Sequence, residues 1–295
     1  PNDSAASDIR KSIENIKEKH KMLGMILDLR GNGGGPLPQA VAVTGLFIQK
    51  GIVVSIKDNN EHIHHLRNFE DTPAWDGPLA VLTNKTSASA SEIVAQTLQD
   101  YGRALVIGDK ETWGKGSFQT STLQTGNLEI NPQGEYKVTG GLYYTVSGKT
   151  PQLVGTKADI VIPGSLSKAE IGESFLKFPI ANDSIAPNFN DNLSDIHAFH
   201  RGKMLRFYKK DRQKRLDLYG PYLEKLKDNS KLRIEQNKNY QNFLKEIAKE
   251  DVDLDAIEHY GQNDLQLEEC CNVLKDLIIL YSPGRDTTIP QAIAK

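Results

Sequence analysis

Residues able to do covalent chemistry concentrate between positions 83 and 119. Three serines, Ser87, Ser89 and Ser91, alternate with alanines, and Gly114-Lys115-Gly116 follows, with Gln119 four residues beyond the lysine. A serine hydroxyl is a weak nucleophile and needs a neighbouring base. A lysine amine serves as that base only when neutral, which requires withdrawal from water. Gly114 and Gly116 permit close backbone approach around Lys115, while Trp113 and Phe118 offer apolar cover. Gln119 offers a neutral partner that orients the amine without adding a negative charge that would keep it protonated. The stretch therefore reads as a nucleophile and its base. Taken singly, a Ser/Ala run also serves as a helix cap, and Gly-Lys-Gly as a plain turn.

The flanking patterns supply elements to position these groups. Pro78–Leu82 is an apolar run that reads as a buried strand, and Ile93, Val94 and Leu98 repeat as a helix that stops at Gly102. The serines thus fall at a strand-to-helix junction, where free N–H groups at the helix start can face a developing negative charge. Ala104–Ile107 reads as a second strand. Upstream, Met22–Leu29 is continuously apolar, as in a central parallel strand, and a glycine cluster, Arg30-Gly-Asn-Gly-Gly-Gly-Pro36, leads into a helix from Gln39 to about Lys50. That cluster suits a bound anion or oxyanion. It fails as a dinucleotide fingerprint, because Pro36 stands where the third glycine is required. Gly108–Lys115 fails as a Walker A loop, with five residues between its glycines and Gly116 in the Ser/Thr position.

Composition narrows the field. With 295 residues, 38% hydrophobic, 25% charged and a net charge of −2, the chain suits one large or two ordinary globular domains and has no bulk attraction for nucleic acid. Residues 201–250 carry 15 Lys/Arg against 7 Asp/Glu, a net of +8 that leaves −10 for the remainder. Lys and Glu interleave there without a recognition motif, so a solvated helical face is favoured over a nucleic-acid interface. His62, His64 and His65 lack a completing set of ligands and read as part of a solvated hairpin between 59 and 76, with no metal and no cofactor implied. They also lack the partners of a Ser-His-Asp triad. Adjacent Cys270 and Cys271 read as small helix residues.

Elsewhere, the pattern predicts a helix over 9–21, a strand over 51–56 and β-rich structure after Gln119, through Leu123, Leu128, Ile130, Tyr136, Val138 and Leu142–Val146. A short strand over 158–163 leads to Pro163-Gly164, which reads as a boundary. Residues 165–195 look loop-like, 195–249 strongly helical with a break at Gly220-Pro221, and 251–271 acidic. A last helix ends at Tyr281, ahead of a frayed tail.

Ser87-Ala-Ser-Ala-Ser-Glu-Ile93, Asp100-Tyr-Gly-Arg-Ala104, Gly-Lys115-Gly-x-x-Gln119 and Leu27-Asp-Leu-Arg-x-Asn-x-Gly-Gly35 together resemble the C-terminal processing proteases, in particular the bacterial tail-specific (Tsp/Prc-type) branch. The resemblance implies a serine endopeptidase that processes or degrades proteins from or near their C-termini. It makes Ser89 the nucleophile, Lys115 the base and Gln119 the residue that orients the base. The N–H groups of Gly35, with Gly34 as the alternative, and of Ala90 become the oxyanion donors. Asp28 and Arg30 become a structural pair. The Ser-to-Lys interval is one residue longer than is usual in the family, and the turn 109–113 can absorb the extra residue. Gly155-Thr-Lys-Ala-Asp-Ile-Val-Ile-Pro163 follows the family's ending, with Ala158 where proline is common.

The implied architecture is α/β: a crotonase/ClpP-like catalytic core over 1–164, then a mainly α-helical C-terminal domain over 165–295. The family places a PDZ module before the Leu-Asp-Leu-Arg motif. About 25 residues precede that motif here, so the chain reads as a C-terminal fragment or processed half without it. The implied partners are protein or peptide substrates with apolar or unfolded C-termini, in the bacterial periplasm or an exported setting, with oligomer formation left open. The rival reading is a catalytically inactive scaffold or assembly fragment; a third is a basic helical nucleic-acid binder.

Overall fold

The computed structural model describes residues 4–121, 137–208, 210–249, 260 and 264–281. Four strands, β1 (Met25–Asp28), β4 (Leu79–Thr83), β5 (Leu105–Gly108) and β8 (Ile160–Val161), form a parallel sheet in the order β1-β4-β5-β8. A second sheet is antiparallel, in the order β3-β2-β7-β6, from β2 (Gly51–Asp58), β3 (Ile63–Asn68), β6 (Ser117–Ser121) and β7 (Lys137–Thr145). Helices α1 (Ala5–Lys19), α2 (Leu37–Gly45) and α3 (Ala90–Asp100) join them, and the fold class is α/β as expected.

Strand periodicity explains the layers. Side chains alternate across a strand, so Leu79 and Val81 of β4 and Val106 of β5 enter one core with α1, α2 and α3. Their neighbours Ala80, Leu82, Leu105 and Ile107 enter a second core on the opposite face. That face is covered by the C-terminal helices α5 (Leu223–Gln236), α6 (Lys238–Glu246) and α7 (Leu265–Tyr281), through Leu226, Phe243, Val273 and Leu277. Both faces are dry, which is why these strands read as unbroken apolar runs. Cys270 lies in the second core and behaves as a small apolar residue; burial pushes its thiol up to about 12. No helix among the described residues is long and apolar enough to cross a membrane.

Two stretches depart from the sequence reading. The polar excursion 59–76 does form a hairpin, but its second strand ends buried. Arg67 is held by Asp191 (2.7 Å) and Asp195 (2.6 Å), and Asn68 donates to the carbonyls of Ile48, Gln49 and Glu70. The helix expected to run from 195 stops with α4 (Ala198–Tyr208). The segment beyond it lies against the core instead: the Gln213 N–H donates to Lys50 O, and the Leu216 N–H to Tyr101 O. Leu216 O comes so close to Gly102 (φ +65°) that a Cβ there would stand 2.0 Å away. Apolar spacing over this segment therefore records one-sided burial rather than a helix. Gly220-Pro221 opens a 3₁₀ turn (Gly220–Tyr222) that starts α5, where proline's missing N–H is harmless. Leu123, Leu128, Ile130 and Tyr136, most of the acidic stretch from 251, and the tail beyond Tyr281 lie outside the described residues.

Because α7 and the parallel sheet share one core, Leu277→Ala should lower stability by about 2–5 kcal/mol, since Leu277 is fully buried there. Urea unfolding followed by far-UV CD and by tryptophan fluorescence should shift as one transition. A fluorescence midpoint left at the wild-type value would refute the shared core.

Candidate active site

The structure separates the three serines by role. Ser87 is buried; its hydroxyl donates to Leu29 O (2.8 Å) and accepts from the Asn84 N–H (3.0 Å), so it ties the end of β4 to the end of β1. Ser91 is buried inside α3. Ser89 stands before the first residue of α3 with φ +57° and ψ −115°, a conformation that strains a residue bearing a Cβ. Such strain persists only where surrounding contacts impose it.

Those contacts centre on Glu92, which is fully buried. Its Oε2 accepts the N–H of Ser89 (2.8 Å) and of Lys115 (2.9 Å). Its Oε1 accepts the N–H of Gly114 (2.7 Å) and the hydroxyl of Thr112. One carboxylate thus fixes the backbone of the serine and of the lysine together. Burial pushes its carboxyl up to about 7, against the pull of the four donors. Tyr143 does the same for the carbonyls. Its hydroxyl lies within hydrogen-bond reach of both Ser89 O and Lys115 O. Burial holds the phenol well above its ordinary value, so it remains a donor.

The glycine loop after β1 closes over this junction. Asn84 Oδ1 accepts the Gly31 N–H, and the Ala88 N–H donates to Asn32 O. Asn32 Oδ1 in turn accepts the Gly34 N–H (2.9 Å). Gly34 has φ +96°, and a Cβ there would stand 2.7 Å from Ala88 O and from Ala90 N, and 2.9 Å from Ser89 Cβ. Gly34 is therefore the residue that packs on the serine, and its N–H is already engaged. The N–H groups of Gly35 and Ala90 have no protein acceptor among the described residues. Arg30 and Asp28 form the expected structural pair (2.7 Å).

The side-chain tips are arranged differently from the backbone. Lys115 is half-buried, and among the described residues its Nζ makes no ion pair or hydrogen bond, with Ser89 or any other residue. Gln119 is exposed, follows a bulge in β6, and donates to Ser117 Oγ (3.2 Å) rather than to Lys115. The histidines take other partners: His62 faces Asp58 (3.5 Å) and His65 Nδ1 meets Ser55 Oγ (2.7 Å). Glu92 escaped the sequence reading although its signal was present, since Ser89-x-x-Glu92 has capping-box spacing. Asn84 and Tyr143 carried no local signal.

A strained serine at a helix start, backbone-locked to a lysine and closed over by a glycine loop, is an arrangement suited to acyl transfer. Comparison with known sequences points the same way. The pattern of Peptidase family S41 matches residues 2–162, and the chain belongs to that family. The tail-specific protease of Haemophilus influenzae is 33% identical over 97% of this chain and 44% of its own length. A carboxy-terminal-processing protease of Bartonella bacilliformis is 39% identical over 58% of this chain and 40% of its own. Among solved structures, a photosystem II D1 C-terminal processing protease aligns at TM-score 0.46 and 30% identity, over 55% of this chain and 40% of that one. The chain thus spans less than half the length of these relatives.

Two outcomes follow from this geometry. Glu92→Gln places an amide NH₂ against N–H donors and should lower stability by about 1–3 kcal/mol. In the native protein, the folded state binds the Glu92 proton more tightly than the unfolded state, because the carboxyl is raised from 4.5 to about 7. That stabilisation is complete below the unfolded value and is lost as pH rises through about 7. The deficit of Glu92→Gln should therefore shrink between pH 5 and pH 8 in thermal melts, and a pH-independent deficit would show that the carboxyl does not titrate there. Gly34→Ala should displace the serine turn and reduce labelling of Ser89 by a fluorophosphonate at least tenfold. Unchanged labelling would show that the close approach of Gly34 is dispensable.

Proposed function

We propose that the chain is the catalytic part of a serine endopeptidase acting on proteins from or near their C-termini, with Ser89 as nucleophile and Lys115 as base. The observation that carries this reading is the double lock at Ser89 and Lys115: Glu92 takes both N–H groups and Tyr143 reaches both carbonyls. Side chains fastened at adjacent backbones need only rotate to meet. In the mechanism, the neutral amine of Lys115 takes the Ser89 proton as the hydroxyl attacks a peptide carbonyl. The N–H groups of Gly35 and Ala90 receive the oxyanion, each such donor being worth roughly 3–4 kcal/mol in the transition state. Lys115 then protonates the leaving amine, and water hydrolyses the acyl-enzyme along the same path. Gln119 would orient the amine once it turns from Ser117 to Lys115.

Several further elements belong to this proposal. Residues 1–164 form the catalytic core and 165–295 the mainly helical C-terminal domain. The substrates are proteins with apolar or unfolded tails, delivered by a PDZ module in the whole protein. An exported, periplasmic setting follows from the family resemblance alone.

The second reading, an inactive scaffold, draws on the unjoined tips of Ser89, Lys115 and Gln119. Activity separates the two. Ser89→Ala and Lys115→Ala should each cut hydrolysis of an unfolded, fluorescently labelled protein by roughly ten-thousandfold, with the CD melt unchanged. Normal turnover by Lys115→Ala would exclude the pair, and no turnover by the native chain or the full-length protein would favour the scaffold.

A further inference from the structure

The start of α7 reaches both loops of the candidate site. Arg30, the residue that opens the glycine loop, is forked twice. Its Nε and Nη2 hold Asp28 of β1 (3.1 and 2.7 Å to Oδ2), and its Nη1 and Nη2 hold Asp264 (2.7 and 2.6 Å), immediately before α7. Asp264 is itself fixed, because its Oδ1 accepts the Leu267 N–H (3.0 Å) at the first turn of the helix. Two residues on, Gln266 is buried, and its Nε2 donates to Ile162 O (2.7 Å) and to Asp109 Oδ1 (3.2 Å). The other oxygen of Asp109 accepts the N–H of Lys85, in the turn that leads to Ser89 (3.1 Å). One helix end, 150 or more residues away in sequence, therefore touches the loop of Gly35 and, through Asp109, the loop of Ser89 and Ala90.

We infer that Asp264, acting through Arg30, is a positioning residue that sets the glycine loop so that the Gly35 N–H faces the same point as the Ala90 N–H. The inference rests on the serine-peptidase reading above. It gives the helical C-terminal region a part in the reaction, as an outside brace of the oxyanion donors. A bidentate guanidinium–carboxylate pair suits this task because it fixes angle as well as distance. The pair is partly open to solvent, with the Asp264 side chain 46% exposed, so its contribution to overall stability is small and its effect is felt mainly in geometry. Arg30 also stiffens the loop at its root, since its own N–H donates to Asp28 Oδ1 (3.0 Å). From there the chain runs through Gly31 and Asn32, both hydrogen-bonded across to the serine turn, to Gly34 and Gly35.

The test uses the full chain with Asp264→Asn, which keeps an oxygen to cap Leu267 but loses the ion pair. A turnover number at least tenfold lower is expected, with KM within twofold of native. A reversible peptide aldehyde, whose adduct with Ser89 needs the oxyanion donors, should lose affinity by the same factor. Arg30→Ala should show the same loss, and Arg30→Ala/Asp264→Asn should be no worse than Arg30→Ala alone, because the two act in series. Arg233→Gln breaks a different ion pair of α7, that with Glu269 and Asp276. It should lower the melting temperature while leaving turnover and aldehyde affinity intact. Native turnover in Asp264→Asn, additive losses in the double variant, or an equal loss of turnover in Arg233→Gln would each overturn the inference. Failure of the peptidase reading looks different: Ser89→Ala would retain turnover, or the native chain would form no aldehyde adduct.

Discussion

The arrangement at the candidate site depends on one buried carboxylate. Glu92 lies fully out of water and, among the described residues, has no cation paired to it and is met by three backbone N–H groups and one hydroxyl. A carboxyl left without donors in such a place would be far too costly to ionise, so the four partners and the group require one another. Two of those donors belong to Ser89 and Lys115, 26 positions apart in sequence. Thr112 gives the cluster some tolerance. Its hydroxyl also accepts the Thr156 N–H, and it can turn from donor to acceptor when the carboxyl takes up a proton. The strained backbone of Ser89 is held from two sides, by Glu92 through its N–H and by Gly34 against its Cβ.

Much of this was legible in the sequence, because much of it is local. The strand before Ser87, the helix after Ser89 and the apolar runs of the parallel sheet follow from periodicity, and the glycine cluster announced a tight backbone approach. What the sequence could not show was made by partners distant in the chain. Tyr143 is one of several tyrosines in a β-rich stretch, and only the placement of β7 brings its hydroxyl to Lys115 O. Asn84 looks like an ordinary turn residue until Gly31 is seen to donate to it. The misread helix beyond Tyr208 has the same cause: Leu216 is spaced as if helical, but its N–H is taken by Tyr101 O, so tertiary hydrogen bonding overrode a local preference. The choice of Gly35 over Gly34 as donor came from a resemblance. In the structure the Gly34 N–H is spent on Asn32 Oδ1, while the Gly35 N–H has no acceptor among the described residues.

The C-terminal helices cannot be regarded as an appendage to a self-sufficient sheet. Ala80, Leu82, Leu105 and Ile107 are four inward positions on β4 and β5 that would face water without α5, α6 and α7. Tyr240 adds a polar seam, with its hydroxyl on Pro163 O, and Tyr219 another, reaching the Leu79 N–H and the buried Arg103. Arg103 also donates to Phe47 O and Trp75 O, so one guanidinium links the helical layer to the turns beneath α2. The layer that completes the core is thus also the layer that reaches the loops of the candidate site.

This division of labour bears on why the backbone of the site is assembled while its side-chain tips are not joined. The main-chain segments of Ser89 and Lys115 and the glycine loop are held by Glu92, Tyr143, Asn84 and Asn32, and moving any of them would break several hydrogen bonds at once. The Ser89 hydroxyl hangs on one rotatable bond and the Lys115 amine on four, and a change of rotamer on an open side chain disturbs no such network. Under the serine-peptidase proposal, the energy of folding is placed where reorganisation during the reaction would be slow and expensive. The last adjustment is left to torsions that turn over in nanoseconds or less.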